Sequence, residues 1–206
     1  MFSIFKKSVT INEAAESIFK LMRTDFKPEW KSKLETISSL DTVRAEDELL
    51  FLDFFAVYFS LKFTRSSSWK TNGQLVFEKV FHLLSNWIAN FWTQKNVGTL
   101  EDVITIIDSR LQTYSSVINE DNNLDNEEFI HQIGLKYAIY AFTDDSMIGA
   151  DGKPLEGHFS DFLDKISQDH KGIAIAVGGE VFNNRMQVLY NWFNTRKVVT
   201  ETDNRK

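Results

Sequence analysis

Apolar side chains recur every three or four positions along most of the chain, which is the spacing of an amphipathic α-helix. Helix breakers are scarce, because the chain has only two prolines and its nine glycines fall mainly in the last third. The pattern therefore predicts an all-α protein of about seven helices. We expect the main helices over residues 10–23, 28–37, 45–64, 74–92, 99–118, 125–142 and 179–195, with a short additional helix over 159–167.

The stretch from Ala45 to Thr64 differs from the other predicted helices because it is apolar on nearly every side. A helix without a polar face belongs in the interior, where other helices surround it. We therefore predict a single-domain multi-helix bundle over residues 1–196, built around the helix at 45–64. Residues 197–206 are polar and mixed in charge, and we expect them to form a frayed C-terminal tail.

Local signals mark several boundaries between these elements. Thr10 and Glu13 have the spacing of a capping box, in which each side chain accepts a hydrogen bond from the backbone N–H of the other residue. The serines and the glycine within residues 66–73 predict a loop before the fourth helix. Gly172 to Gly178 fits either a short buried strand or a tightly packed helical turn, and the sequence leaves both open.

Composition narrows the classes of protein that this chain can belong to. Hydrophobic residues make up 43% and charged residues 25%, which is typical of a folded globular protein. With no cysteine, the chain has no disulfide, no thiolate nucleophile and no cysteine-ligated metal. We find neither the apolar region of a signal peptide nor an apolar stretch long enough to span a membrane, so we expect a cytoplasmic protein.

The formal net charge is −6 at pH 7, with an isoelectric point near 5.3. Proteins that grip nucleic acid through its phosphates need a concentrated basic surface, so we expect no direct binding to DNA or RNA. An acidic chain attracts basic partners instead. The net charge thus favours a protein partner, with a basic one as the first expectation, and leaves the oligomeric state open.

Asp53 is the most conspicuous single residue, because a carboxylate in an apolar central helix is costly unless it is paired or protonated. Arg110 lies inside the apolar arc of its own predicted helix, close to Ile107 on the helical wheel. We therefore predict that Asp53 and Arg110 form a buried polar pair. A proton-accepting or metal-binding role for Asp53 is the functional alternative.

One helix carries a weak metal-binding signal. Glu127 and His131 are four residues apart and fall within the apolar arc of their helix, so we expect both to point inward. Glu128 and His131 have the Glu-x-x-His spacing of di-iron and di-manganese bundles, but the chain contains no second such pair. Nucleotide-binding, hydrolase and zinc-protease fingerprints are also absent from the sequence. We predict no cofactor and keep a metal at Glu127, Glu128 and His131 as the alternative.

The longest predicted irregular segment covers residues 143–158, where glycines and one proline cluster. Long loops of this kind frequently carry function. Its polar candidates for contact with a partner are Asp144, Asp145, Asp151, Glu156 and His158. Together these features favour a non-enzymatic protein-interaction or regulatory module. A metal-dependent bundle enzyme and a small-molecule-sensing bundle are the alternatives.

Overall fold

A computed structural model describes residues 6–23, 28–37, 40–95, 98–120, 126–142 and 168–200. Seven helices and one pair of short strands occupy these described residues, so the prediction of an all-α multi-helix bundle is confirmed. In chain order the elements are β1 (Lys7–Thr10), α1 (Ile11–Met22), α2 (Pro28–Glu35), α3 (Thr42–Lys62), α4 (Ser67–Lys95), α5 (Leu100–Glu120), α6 (Asn126–Phe142), α7 (Gln168–Thr195) and β2 (Arg196–Val199).

The helix α3 is the central apolar helix that the sequence predicts. It begins at Thr42, three residues before the predicted start, where the Asp41 carboxylate accepts hydrogen bonds from the first backbone N–H groups. All seven residues from Phe51 to Val57 are buried, which covers about two helical turns on every side. Burial on all sides is what an apolar helix without a polar face requires.

The capping box at the start of α1 is confirmed. The Thr10 hydroxyl accepts from the Glu13 N–H at 3.1 Å, and the Glu13 carboxylate accepts from the Thr10 N–H at 2.8 Å. These hydrogen bonds lower the pKa of the Glu13 carboxyl, since they favour its charged form. The box fixes the point at which β1 turns into α1.

The predicted loop at residues 66–73 is wrong, because α4 already begins at Ser67. Polar side chains there bind the helix's own carbonyls: Thr71 donates to Ser67 and Asn72 to Ser68, both at 3.1 Å. Trp69 is fully buried, and its indole N–H donates to the carbonyl oxygen of Arg196 at 3.1 Å. Tertiary packing of this ring overrides the low helix propensity of the surrounding residues.

The segment from Gly172 to Gly178 is helical and lies inside α7, so the tightly packed helical alternative is the observed one. A Cβ on Gly134 of α6 would collide with the backbone carbonyl of Ile175 in α7. A Cβ on Gly178 would come within 2.6 Å of the Tyr137 ring. Glycine at these positions lets α6 and α7 approach at backbone distance.

The two strands pair in parallel, with Lys7 opposite Arg196 and Thr10 opposite Val199. Lys197 to Val199 therefore belong to β2, which corrects the prediction of a polar tail for these residues; Glu201 onward lies outside the described residues. Val198 and Val199 are buried, and their β-branched side chains suit a strand. Burial of these two valines therefore accounts for a strand in a segment that is otherwise polar.

The chain forms two compact units. Unit 1 comprises residues 1–24, 56–103 and 184–206, and unit 2 comprises residues 25–55 and 104–183. Three helices, α3, α5 and α7, run through the boundary and contribute residues to each unit. Among the described residues, no helix is sufficiently long and apolar to cross a lipid bilayer.

The close crossing of α6 and α7 makes a prediction about two glycines. Gly134→Ala should lower the unfolding free energy by about 1–3 kcal/mol, because the new methyl group meets a backbone atom that cannot rotate away. Gly172→Ala is the matched control, since a Cβ there meets nothing within 4 Å and should raise stability by roughly 0.5–1 kcal/mol. Urea unfolding measures both; equal changes in the two variants would contradict the close crossing.

Candidate interaction surface

A buried ion pair joins α3 to α5 within unit 2. The Arg110 Nε donates to Glu48 Oε2 at 2.8 Å, and the Tyr114 hydroxyl donates to Glu48 Oε1 at 3.0 Å. Glu48 is only 3% exposed and Arg110 only 6%. Each oxygen of the carboxylate therefore accepts a hydrogen bond from a neighbouring helix, which offsets part of the cost of burying the charge.

Aromatic rings enclose the charged end of Arg110. Its guanidinium carbon lies 3.5 Å from the centroid of the Tyr140 ring and 5.9 Å from that of Phe51. Such placement over a ring face adds electrostatic attraction that a desolvated cation retains. The Tyr140 hydroxyl is in turn 2.8 Å from the Thr113 hydroxyl. The guanidinium is thus held between a carboxylate and ring faces.

Burial raises the pKa of the Glu48 carboxyl, while the nearby Arg110 charge opposes that rise. Burial also raises the pKa of Tyr114 well above its ordinary value, so this phenol keeps its proton and remains a donor to Glu48. Arg110 engages one oxygen of the Glu48 carboxylate and Tyr114 engages the other, so both oxygens are held by α5. We interpret this cluster as a device that aligns α3 with α5.

The sequence predicts Asp53 as a partner of Arg110, and the structure shows that Arg110 pairs with Glu48. Asp53 is fully buried, as expected for its position on α3. A direct contact between Asp53 and Arg110 stays a prediction. The sequence did contain a signal for Glu48, because it shares the helical face of Leu52 and Phe55, which are both buried.

The prediction that Glu127 and His131 point inward is wrong, because Glu127, Glu128 and His131 are all exposed. Glu127 and His131 lie on the same stripe of α6 as the buried Gly134, but on the first turns of the helix, ahead of the packed part. In the part of the chain that the structure describes, no three His, Asp or Glu side chains are grouped to hold a metal ion. The metal alternative at these residues gains no support from their surroundings.

The candidate interaction loop falls outside the described residues. Its five polar candidates are Asp144, Asp145, Asp151, Glu156 and His158. Their part in binding a partner stays a prediction.

Charged side chains are divided unevenly between the two units. Over the described residues, unit 1 has 12 Lys and Arg against 5 Asp and Glu, whereas unit 2 has 6 against 13. Their formal charges are therefore +7 and −7, although the whole chain carries −6. The net charge of the chain conceals a strongly basic unit, so electrostatic arguments about partners apply to each unit separately.

Unit 1 exposes an aromatic and cationic cluster where α1 meets α4, which we call the Trp87 patch. Phe19 and Trp87 meet edge to face with their ring centroids 6.4 Å apart. The Arg23 guanidinium lies 5.1 Å from the Trp87 centroid and 5.6 Å from that of Phe19. Trp87 is 38% exposed, and Phe91, one turn further along α4, is 50% exposed. Two partly exposed rings and a cation therefore share one surface of unit 1.

A second surface feature of unit 1 is an apolar groove between α1 and the end of α7, which we call the α1–α7 groove. Its volume is about 360 Å³. The residues that shape it include Ile18, Leu21, Val188, Leu189, Trp192 and Arg196. Its lining is mostly carbon, with Arg196 as the charged residue at one end.

Comparison of the chain with protein-family models, with curated proteins and with solved structures finds no match in any of the three.

Neither the Trp87 patch nor the α1–α7 groove is predicted from the sequence. Helical periodicity places Trp87 and Phe91 on the apolar face of α4, whereas in the structure both side chains are partly exposed.

The buried ion pair predicts a specific pattern of stability. Arg110→Met should lower the unfolding free energy by about 3–5 kcal/mol, because Glu48 is then buried without its cation. Combining Glu48→Gln with Arg110→Met should recover much of that loss, since no charge remains buried. Urea unfolding of the single and double variants measures both effects, and additive losses would contradict the pairing.

A pH series adds an independent test of Glu48. Its folded pKa lies above the ordinary value of 4.5, so the native state binds more protons than the unfolded state between these two values. The contribution of Glu48 to stability is therefore greatest below pH 4.5 and falls as the pH rises through the folded pKa. Arg110→Met should steepen this fall, and the double variant should lack it; identical slopes would refute the assignment.

Proposed function

We propose that this protein is a non-enzymatic protein-interaction module, and that its unit 1 makes the contact through the Trp87 patch. The observation that supports the proposal is the combination of Trp87, Phe91 and Arg23 on one exposed surface. Tryptophan and arginine are the residue types most enriched among the side chains that dominate binding energy at protein interfaces.

The geometry of the patch suits that purpose. Packing of Phe19 against Trp87 limits the motion of the indole ring, so little conformational entropy is lost when a partner covers it. Arg23 covers one side of the same ring and retains its charge for a partner's acidic or carbonyl groups. A preorganised aromatic anchor beside a cation is what a binding hot spot needs.

The expected charge of a partner depends on which unit it contacts. The acidic excess of unit 2 supports the basic partner that the sequence favours, and it restricts that expectation to this unit. The basic excess of unit 1 supports an acidic partner surface at the Trp87 patch. One chain that contains a basic unit and an acidic unit can therefore bind two partners of opposite charge.

The test is quantitative recovery of a partner from an extract of the cells that make the protein. Wild-type protein should retain at least one protein that the double variant Trp87→Ala/Phe91→Ala loses. With the partner in hand, the double variant should weaken binding by about 2 kcal/mol or more, roughly 30-fold, as measured by calorimetry. Both side chains are partly exposed, so we expect the variant to remain folded.

Val43→Ala is the matched control, because Val43 is the most exposed of the large apolar side chains described, at 69%, and lies on α3 in unit 2. This variant should retain the same partner as the wild type. The proposal is wrong if the two variants recover the same proteins, or if the wild type retains nothing that depends on Trp87 and Phe91.

A further inference from the structure

The α1–α7 groove has the shape and lining of a docking site for a helix. Leu21 of α1 and Val188 and Trp192 of α7 contribute the accessible apolar surface, whereas Ile18 and Leu189 beside them are already buried. Val188 is 38% exposed although its side chain is wholly apolar. A partner that covers this surface removes apolar area from water, which favours association by roughly 25 cal/mol per Å² of apolar area buried.

The size of the groove fits one face of a short helix. The wall formed by α7 runs from Val188 to Thr195, which corresponds to about 10 Å, or roughly two turns. An amphipathic helix presents apolar side chains at positions i, i+3 or i+4, and i+7 over that same distance. Two or three anchoring side chains of a partner helix would therefore span the groove.

The charges around the groove specify the sign of the partner. Arg196 lies at one end of the groove, with its guanidinium 4.6 Å from the Trp192 centroid and one nitrogen donating to the Thr195 hydroxyl at 2.9 Å. Residues 184–200 contain three basic residues and no acidic residue. Arg196 thus places a positive charge beside the apolar lining, within a basic segment of unit 1.

The sequence of α1, the helix on the other side of the groove, changes from acidic to basic along its length. On α1, Glu13 and Glu16 precede the groove residues Ser17 and Ile18. Lys20 and Arg23 follow at the end of the helix, where they also suit the negative end of its dipole. Arg23 itself lies over Trp87 on the α4 side of α1, so Arg196 is the charged residue that an acidic partner meets among the described residues that line the groove.

We propose that the α1–α7 groove binds an acidic amphipathic helix of a partner protein. The proposal rests on the interaction function proposed above and adds a second site and the chemical class of its ligand. The apolar lining favours a peptide over a nucleic acid, because phosphates would need cations along the groove and its lining is mostly carbon. The positive charge of unit 1 then selects acidic residues on the solvent side of the bound helix.

The experiment is a selection from a phage-displayed library of helical peptides about 15 residues long, roughly four turns. Apolar residues are fixed at i, i+3, i+4 and i+7, and the remaining positions are randomised. Enriched peptides should be rich in Asp and Glu. Fluorescence anisotropy then measures the affinity of the best peptide, of its variant with every Asp and Glu replaced by Lys, and of a labelled oligo-dT of similar length.

Two substitutions separate docking in the groove from general attraction to a basic surface. Val188→Lys adds a positive charge but removes apolar lining, so it should weaken binding of the acidic peptide by about tenfold. A ligand held only by electrostatic attraction would instead bind this variant more tightly. Arg196→Gln should weaken binding of the peptide by about fivefold, because it removes one positive charge. Lys79→Gln is the matched control, because it removes the same charge from an exposed position on α4 in the same unit.

The proposal is supported if acidic peptides are enriched and if their binding is weakened most by Val188→Lys, less by Arg196→Gln and least by Lys79→Gln. It is overturned if no peptide is enriched, if the lysine-substituted peptide binds as well, or if Val188→Lys leaves binding unchanged or tightens it. Tighter binding of oligo-dT than of any peptide would assign the basic surface to single-stranded nucleic acid instead. Failure here leaves the partner recovery at Trp87 and Phe91 as a separate test, because none of these variants alters that patch.

Discussion

Complete burial of α3 from Phe51 to Val57 is the constraint on which the rest of the structure depends. A helix with no solvent face is stable only when its neighbours cover every side, so the amphipathic helices must present their apolar faces to it. Charged groups near this segment must be satisfied by those same neighbours. Glu48 meets that demand through Arg110 and Tyr114, which fixes where α5 lies along the first part of α3.

Features that depend on local periodicity could be predicted from the sequence. The central helix and the capping box at Thr10 are of this kind, as is the inward position of Arg110 on α5. The pairing of Arg110 with Glu48 could not be predicted, because it depends on how far α5 is shifted along α3. Periodicity gives the direction of a side chain but not the axial offset between two helices.

The errors arise where packing overrides local propensity. Serines and Gly73 suggest a loop at the start of α4, yet burial of Trp69 holds these residues in a helix. The exposure of Glu127 and His131 reflects where the packed part of α6 begins, which periodicity within one helix does not specify. Charge is the clearest example, since only the fold assigns 12 basic residues to one unit and 13 acidic residues to the other.

We propose that a partner covers the Trp87 patch of unit 1. Hydroxyl-radical footprinting tests it most directly, by comparing oxidation of the purified protein with that of the protein in an extract of its own cells. We expect oxidation of Trp87 and Phe91 to fall in the extract while that of the exposed Val43 does not change. Equal oxidation of Trp87 and Phe91 in both samples would contradict it.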